Sequence, residues 1–139
     1  MRKFTNIELA KSYHGHLGPN LVIGIKIGNY AINALNAKSH FGIEAEVHCP
    51  EKPPVSCMID GVQLSTGCTM GKANIKHIIS SENPMVVCRN KETGEEIKIQ
   101  VNDGFIEKCL AWYKELGEES ASMKVWEMDD EEVFTVCGS

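Results

Sequence analysis

Apolar residues recur along this chain with two different periods, and the change from one to the other outlines the elements. Leu21, Ile25, Gly28, Ile32 and Leu35 return every three or four residues, the spacing of one buried helical stripe. Pro19 suits the first turn of that helix, where its missing N–H costs nothing, so the helix is expected over 19–35. Before it, residues 5–13 read as a shorter helix, with Thr5 and Glu8 at capping-box spacing. Ile43–Cys49 reads as a strand ended by Pro50, Pro53 and Pro54. Residues 57–64 are helical in pattern, and Thr66-Gly67-Cys68-Thr69 turns. A short strand is expected over 77–80, and β-branched residues over 85–89 and 95–101 form a hairpin across Asn90-Lys91-Glu92-Thr93-Gly94. Asp103 is placed to cap a helix carrying Phe105, Ile106, Cys109, Trp112 and Leu116, stopped by Gly117. A last helical stretch spans 120–132, with a break at Asp129.

Helices and hairpin strands are segregated rather than alternating, which predicts an α+β fold. N-terminal helices are expected to pack on a small mixed or antiparallel sheet, followed by C-terminal helices. A chain of 139 residues fits one domain, 1–139, able to bury roughly two thirds of its unfolded surface without a disulfide staple. Gly24, Gly28 and Ala31 lie near one another on the 19–35 helix. Interior glycine costs about 1 kcal/mol relative to alanine, so another backbone is expected to pack close, within the domain or across a homodimer.

Charge and composition narrow the function. The formal charge is −5, and Glu118, Glu119, Glu127, Asp129, Asp130, Glu131 and Glu132 crowd near the end. With no basic cluster to meet a phosphate backbone, nucleic acid is not an expected partner. Met-Arg-Lys-Phe-Thr-Asn-Ile-Glu lacks the apolar core of a secretory signal, and the apolar run 17–35 is interrupted by Asn20, Lys26, Asn29 and Asn33. The expected setting is cytoplasmic, with no membrane span. The six cysteines show no C-x-x-C pairing and read as free thiols or metal ligands. Cys88 and Cys109 sit among apolar neighbours and read as core, while His48 and Cys49 are held in reserve.

Two segments are dense in reactive side chains. In His14-Gly15-His16 an extended backbone would aim both imidazoles the same way, whereas a helix would set them about 200° apart. The second segment runs from Cys57 to Asn74. Cys57, Asp60 and either Gln63 or Leu64 share a helical face, and Cys57 stands near a helix start, where a thiolate is favoured. Cys68 reaches the same point only if the chain folds back at Ser65 to Gly67. Gly67-Cys68-Thr69-Met70-Gly71-Lys72-Ala73 is not a P-loop, because three residues rather than four separate its glycines and Ala73 follows Lys72.

Taken together, His14-Gly15-His16-Leu17-Gly18-Pro19 and Cys57-x-x-Asp60-x-x-Gln63-x-x-Thr66-Gly67-Cys68-Thr69-x-Gly71-Lys72 resemble the FmdE family of formylmethanofuran dehydrogenase components. Glu131-Glu132-Val133-Phe134-Thr135-Val136 is similar to that family's closing segment. The resemblance covers essentially the whole chain. It implies a FwdE/GAPDH-domain-like fold, a bound divalent transition metal, commonly zinc, and association with the molybdenum or tungsten formylmethanofuran dehydrogenase complex. It places His14, His16, Cys57 and Cys68 as metal ligands, with Asp60 and Lys72 as candidate catalytic or anion-holding groups. Gly18 stands where the family usually has cysteine, and the chain reads as a core-only version without the C-terminal zinc ribbon. Three functions follow for test: an accessory or regulatory partner in one-carbon and molybdenum-enzyme metabolism, a metalloenzyme with an open coordination position, and a dimeric interaction module with structural metal or none.

Overall fold

A computed structural model describes Lys3 and residues 5–137; the segment read as lacking a secretory signal lies partly outside them, at Met1, Arg2 and Phe4. Helix α1 is Ile7–His14 and α2 is Pro19–Ala34. Strand β1 is Ile43–Cys49, and a 3₁₀ turn at Val55–Cys57 leads into α3, Met58–Thr66. Strands β2 (Ile75–Ile79), β3 (Met85–Asn90) and β4 (Glu96–Val101) follow, then α4 (Phe105–Leu116), α5 (Glu118–Glu127), α6 (Asp130–Val133) and β5 (Phe134–Val136). Among the described residues, five strands form one sheet in the order β2-β1-β3-β4-β5. Within it only the β1–β2 pair is parallel, with α3 crossing between the two strands. The fold is α+β with a mixed sheet, as expected.

Differences from the sequence reading are local. Asn6, not Thr5, caps α1, its side chain accepting from Leu9 N at 2.8 Å. Gly104, in a left-handed conformation, rather than Asp103, precedes α4. The break at Asp129 is a capping box closed by Glu132. Strand β5 was not foreseen; its three residues alternate too briefly to register as a period, and β4 is what makes them a strand.

Helix α2 is buried nearly all round: 13 of its 16 residues, rather than one stripe. Its glycines explain how. A Cβ on Gly24 would lie 2.1 Å from Met58 O, and one on Gly61 would lie 2.2 Å from Leu21 O. A Cβ on Gly28 would meet the Ser65 hydroxyl. Helices α2 and α3 therefore touch backbone to backbone, and the α2 glycines are used inside the chain rather than across a dimer. Lys26, only 8% exposed, satisfies its ammonium on Met128 O at 2.7 Å, Trp126 O at 3.3 Å and Asp130 at 3.3 Å, tying α2 to the end of α5. Among the described residues no helix is long and apolar enough to cross a membrane.

Candidate functional site

The α2–α3 contact fixes where the start of α3 points. Cys57 precedes its first residue and Asp60 lies in its first turn, beside the end of α1. His14 is the last residue of α1, and Gly15, at φ 98°, ends the helix in a left-handed turn. The His14-Gly15-His16 segment is thus a turn, not the extended stretch expected. The turn nonetheless brings the rings together, with centroids 4.6 Å apart.

Each imidazole meets its own carboxylate. His14 Nδ1 lies 2.6 Å from Asp60 Oδ2, and His16 Nδ1 lies 3.1 Å from Glu118 Oε2 in the first turn of α5. An ionised carboxylate only accepts, so in a neutral imidazole Nδ1 carries the proton and Nε2 keeps its lone pair. The His14 side chain is 9% exposed, and its Nε2 is buried without a hydrogen-bond partner. Leaving such an atom unpaired costs about 1–3 kcal/mol, so it marks a place where a ligand would be welcome. Cys57 is half-buried beside both carboxylates. Burial first, then the charges of Asp60 and Glu118, push its thiol pKa up. Its place at a helix start thus does not yield the favoured thiolate that position alone suggested.

Cys68 and Lys72 belong to the other end of α3, and the helix between holds them away. Nine helical residues rise roughly 13 Å. Cys68 is fully buried, its Sγ donating to Ile43 O at 3.3 Å. Lys72 Nζ donates to Thr69 Oγ1 at 3.4 Å and lies 5.9 Å from the Phe41 ring centre. Of the sequence-derived ligands the structure brings His14, His16 and Cys57 into one neighbourhood, with Asp60, and leaves Cys68 outside it. Cys88 and Cys109 are buried, with burial raising the Cys109 thiol to about 12. Cys49 is buried with its Sγ 3.5 Å from His77 Nε2, and His48 pairs with Glu46 at 2.8 Å; both lie on β1, in the sheet.

The donors present suit zinc in kind, imidazole nitrogen and thiol sulfur, and the two carboxylate–imidazole pairs are the arrangement that orients metal-ligating histidines. Among the described residues, however, no three His, Cys, Asp or Glu side chains converge as a cation site.

Beside this cluster opens a cavity of about 590 Å³. Leu21 of α2, Pro53 and Val55 before α3, and Ile106, Leu110 and Tyr113 of α4 give it mostly apolar walls. His16, Cys57, Glu118 and Asn20 are its polar lining residues. Two of these escaped the sequence reading. Glu118 looked like part of a solvated acidic face, and nothing in its spacing ties it to His16, 102 residues away. Asn20 looked like an interruption of an apolar run; that interruption, inside a helix that buries its neighbours, was the available signal.

A family model described as "FmdE, Molybdenum formylmethanofuran dehydrogenase operon" matches residues 13–135. A protein of Archaeoglobus fulgidus named "Probable S-adenosyl-L-methionine-binding protein" is 30% identical over 116 residues, which cover 78% of this chain. The match spans only 30% of that relative's length. The chain belongs to the FmdE family.

Proposed function

We propose that this member of the FmdE family binds a divalent transition metal, zinc by its donor chemistry, and serves as a cytoplasmic accessory or regulatory partner in one-carbon and molybdenum-enzyme metabolism. Association with a formylmethanofuran dehydrogenase complex is the partner that the family suggests. The observation that carries the metal reading is His14 Nε2, buried, unpaired and held in its lone-pair tautomer by Asp60. His14, His16 and Cys57, which do not converge as they stand, would hold the metal once drawn toward it, and Asp60 and Glu118 would orient the two imidazoles. Zinc, when bound, supplies Lewis acidity. Cys57 must lose its proton to bind, and the same carboxylates that orient the imidazoles oppose that loss, so affinity rises with pH. Cys68 and Lys72 take no part in this site. A homodimer joined through α2 is not part of the proposal, since Gly24 and Gly28 face α3. S-adenosylmethionine binding is named for a relative that this chain matches over 30% of its length, and it is not carried over.

Metal content per chain on folded protein tests the reading. About one zinc per chain is expected, lost in Cys57→Ser and His14→Ala and kept in Cys68→Ser and Cys88→Ser. Asp60→Asn should weaken affinity about 10–100-fold through misorientation of His14. Equal retention in Cys57→Ser and Cys88→Ser would remove the site and leave the interaction-module reading ahead.

A further inference from the structure

Two turns near the C-terminal end of α3, away from the His14 cluster, carry apolar groups that the fold does not bury. Phe41 sits in the 3₁₀ turn His40–Gly42 and Met70 in the 3₁₀ turn Met70–Lys72. They are 68% and 70% exposed, the highest values for large apolar side chains among the described residues. The turns are neighbours. Asn74 donates to His40 O at 2.6 Å and accepts from Thr69 N at 2.9 Å, and a Cβ on Gly67 would lie 2.8 Å from His40 N. Lys72 Nζ lies 5.9 Å from the Phe41 ring centre. Single apolar residues scattered over a surface need no explanation, but the two most exposed on adjoining turns do.

The backbone that carries them is held against its own preference. Among the described residues, the non-glycine positions with positive φ are Asn36 at 46°, His40 at 72° and Ala73 at 58°. All three belong to the two segments that display Phe41 and Met70. A left-handed conformation crowds the Cβ of any such residue, and it persists only where surrounding bonds impose it. Here Asn74 imposes it, with Nδ2 also donating to Ile43 O at 3.3 Å. Phe41 and Met70 therefore stand on a braced frame, which lowers the ordering cost of a contact made there.

Charge decides the kind of partner. Lys38 stands against Gly42, where an added Cβ would lie 2.7 Å from its own Cβ, and Lys91 N donates to Gly42 O at 3.0 Å. Burial raises the pKa of the Cys68 thiol beneath, and the bond to Thr66 and the charges of Lys72 and Lys91 oppose that rise. Among the described residues no carboxylate lies within 4.0 Å of the ammonium of Lys38, Lys72 or Lys91. Of the nearby acids, Glu44 is paired with Arg89 at 3.2 Å and Glu92 follows Lys91 in the hairpin turn. On a chain of net charge −5, whose acid gathers at 118–132, this is a local excess of positive charge. An apolar centre with a basic rim complements an acidic segment that carries apolar side chains. A second copy docked by two-fold symmetry would instead set these lysines against their own images. Three lysines beside Glu44 and Glu92 make a poor track for a phosphate backbone.

We propose that this surface docks an acidic segment of a partner protein, with apolar side chains of the segment on Phe41 and Met70 and its carboxylates facing Lys38, Lys72 and Lys91. The surface uses no metal and stands whether or not the His14 cluster holds one. The probe is the acetylated, amidated peptide Glu-Asp-Glu-Leu-Phe-Glu-Asp-Glu, titrated into the full chain and followed by amide NMR shifts. Two counterparts accompany it, one with lysine for every acid and one with Ser-Ser for Leu-Phe. Shifts should centre on 38–42, 70–73 and 91, and affinity should fall as salt is added. Each counterpart, and each of the variants Phe41→Ala and Lys72→Glu, should bind about tenfold more weakly. The double variant Lys38→Glu, Lys91→Glu, at two exposed positions, repeats the charge test should either single variant fold poorly. Absence of shifts at millimolar peptide, shifts centred elsewhere, equal affinity for the lysine counterpart, or binding indifferent to these variants would overturn the proposal. Tighter binding of oligothymidylate on the same residues would overturn it in favour of single-stranded nucleic acid. Concentration-dependent association, seen by light scattering and abolished by Phe41→Ala, would also overturn it, because the surface would then belong to a contact between two copies.

Discussion

The two ends of α3 carry the same kind of sequence and do different things. Both are dense in polar and sulfur-bearing residues, and both belong to one motif running from Cys57 to Lys72. At the far end, among the described residues, no buried side-chain polar atom is left unpaired. Thr66 Oγ1 donates to Val62 O at 2.6 Å and accepts from Cys68 N at 3.1 Å. Gln63 Oε1 accepts from Met70 N, and Asn74 accepts from Thr69 N while donating to His40 O and Ile43 O. That network seals the helix end onto the start of β1. At the near end the valences are open: His14 Nε2 and Asn20 Oδ1 are buried and unpaired, and Cys57 is half-buried and feels the charges of two carboxylates. Residue type does not separate scaffold from site in this motif. Whether the polar atoms are already used does.

Both ends depend on how closely α3 meets α2, so the largest effect is expected where backbone meets backbone. Gly61→Ala would place a methyl 2.2 Å from Leu21 O and 2.7 Å from Ile25 N, which no side-chain rotation relieves. We expect a loss of about 3 kcal/mol in urea unfolding, with both ends of α3 disturbed together. Gly71→Ala, in the same motif, meets only Thr69 Oγ1 at 4.0 Å and should change stability by less than about 0.5 kcal/mol. Comparable losses in the two variants would mean that the glycines of the motif do not differ in the way described.

The sealed end can be broken alone. Thr66→Val keeps the shape of the side chain but leaves Cys68 N, buried, without its acceptor. A cost of about 1–3 kcal/mol is expected, with metal content per chain unchanged. A stable variant that has lost metal would mean that the far end acts on the near end, and would dissolve the distinction between them.

Much of the fold was legible because it depends on period and punctuation. Pro19 opens α2, β1 spans Ile43–Cys49 as read, and the β3–β4 hairpin turns where its Asn-Lys-Glu-Thr-Gly run predicts. The residues His14, His16, Cys57 and Asp60 were legible through spacing and resemblance. What stayed hidden was tertiary. The parallel pairing of β2 with β1 follows from the α3 crossover, which local pattern does not encode. The separation of Cys68 from Cys57 required knowing that α3 continues to Thr66 instead of folding back at Ser65. Glu118 reaches His16 only because α5 packs beside α2, and no short-range signal announces that contact.

The smallest expected effect probes the near end directly, through the thiol of Cys57. Its pKa is pushed above that of an ordinary thiol by burial first, then by Asp60, then by Glu118. The protonated thiol is the favoured form, so at about pH 8 the thiolate is scarcer than in a free cysteine, and alkylation should be slow. Removing a negative neighbour lowers the pKa and raises the thiolate fraction at fixed pH. In chelator-treated Cys137→Ser protein, iodoacetamide should therefore modify Cys57 a few times faster in Asp60→Asn than in the parent, and Glu118→Gln should give a smaller gain in the same direction. The inflection of rate against pH should move down in both variants without reaching that of a free thiol, because burial remains. Cys68 should stay unmodified throughout, since it is fully buried and its sulfur is engaged with Ile43 O. Peptide mapping by mass spectrometry reads the two cysteines separately. An inflection unmoved by either substitution would place Cys57 outside the field of both carboxylates, and the near end of α3 would no longer be one cluster.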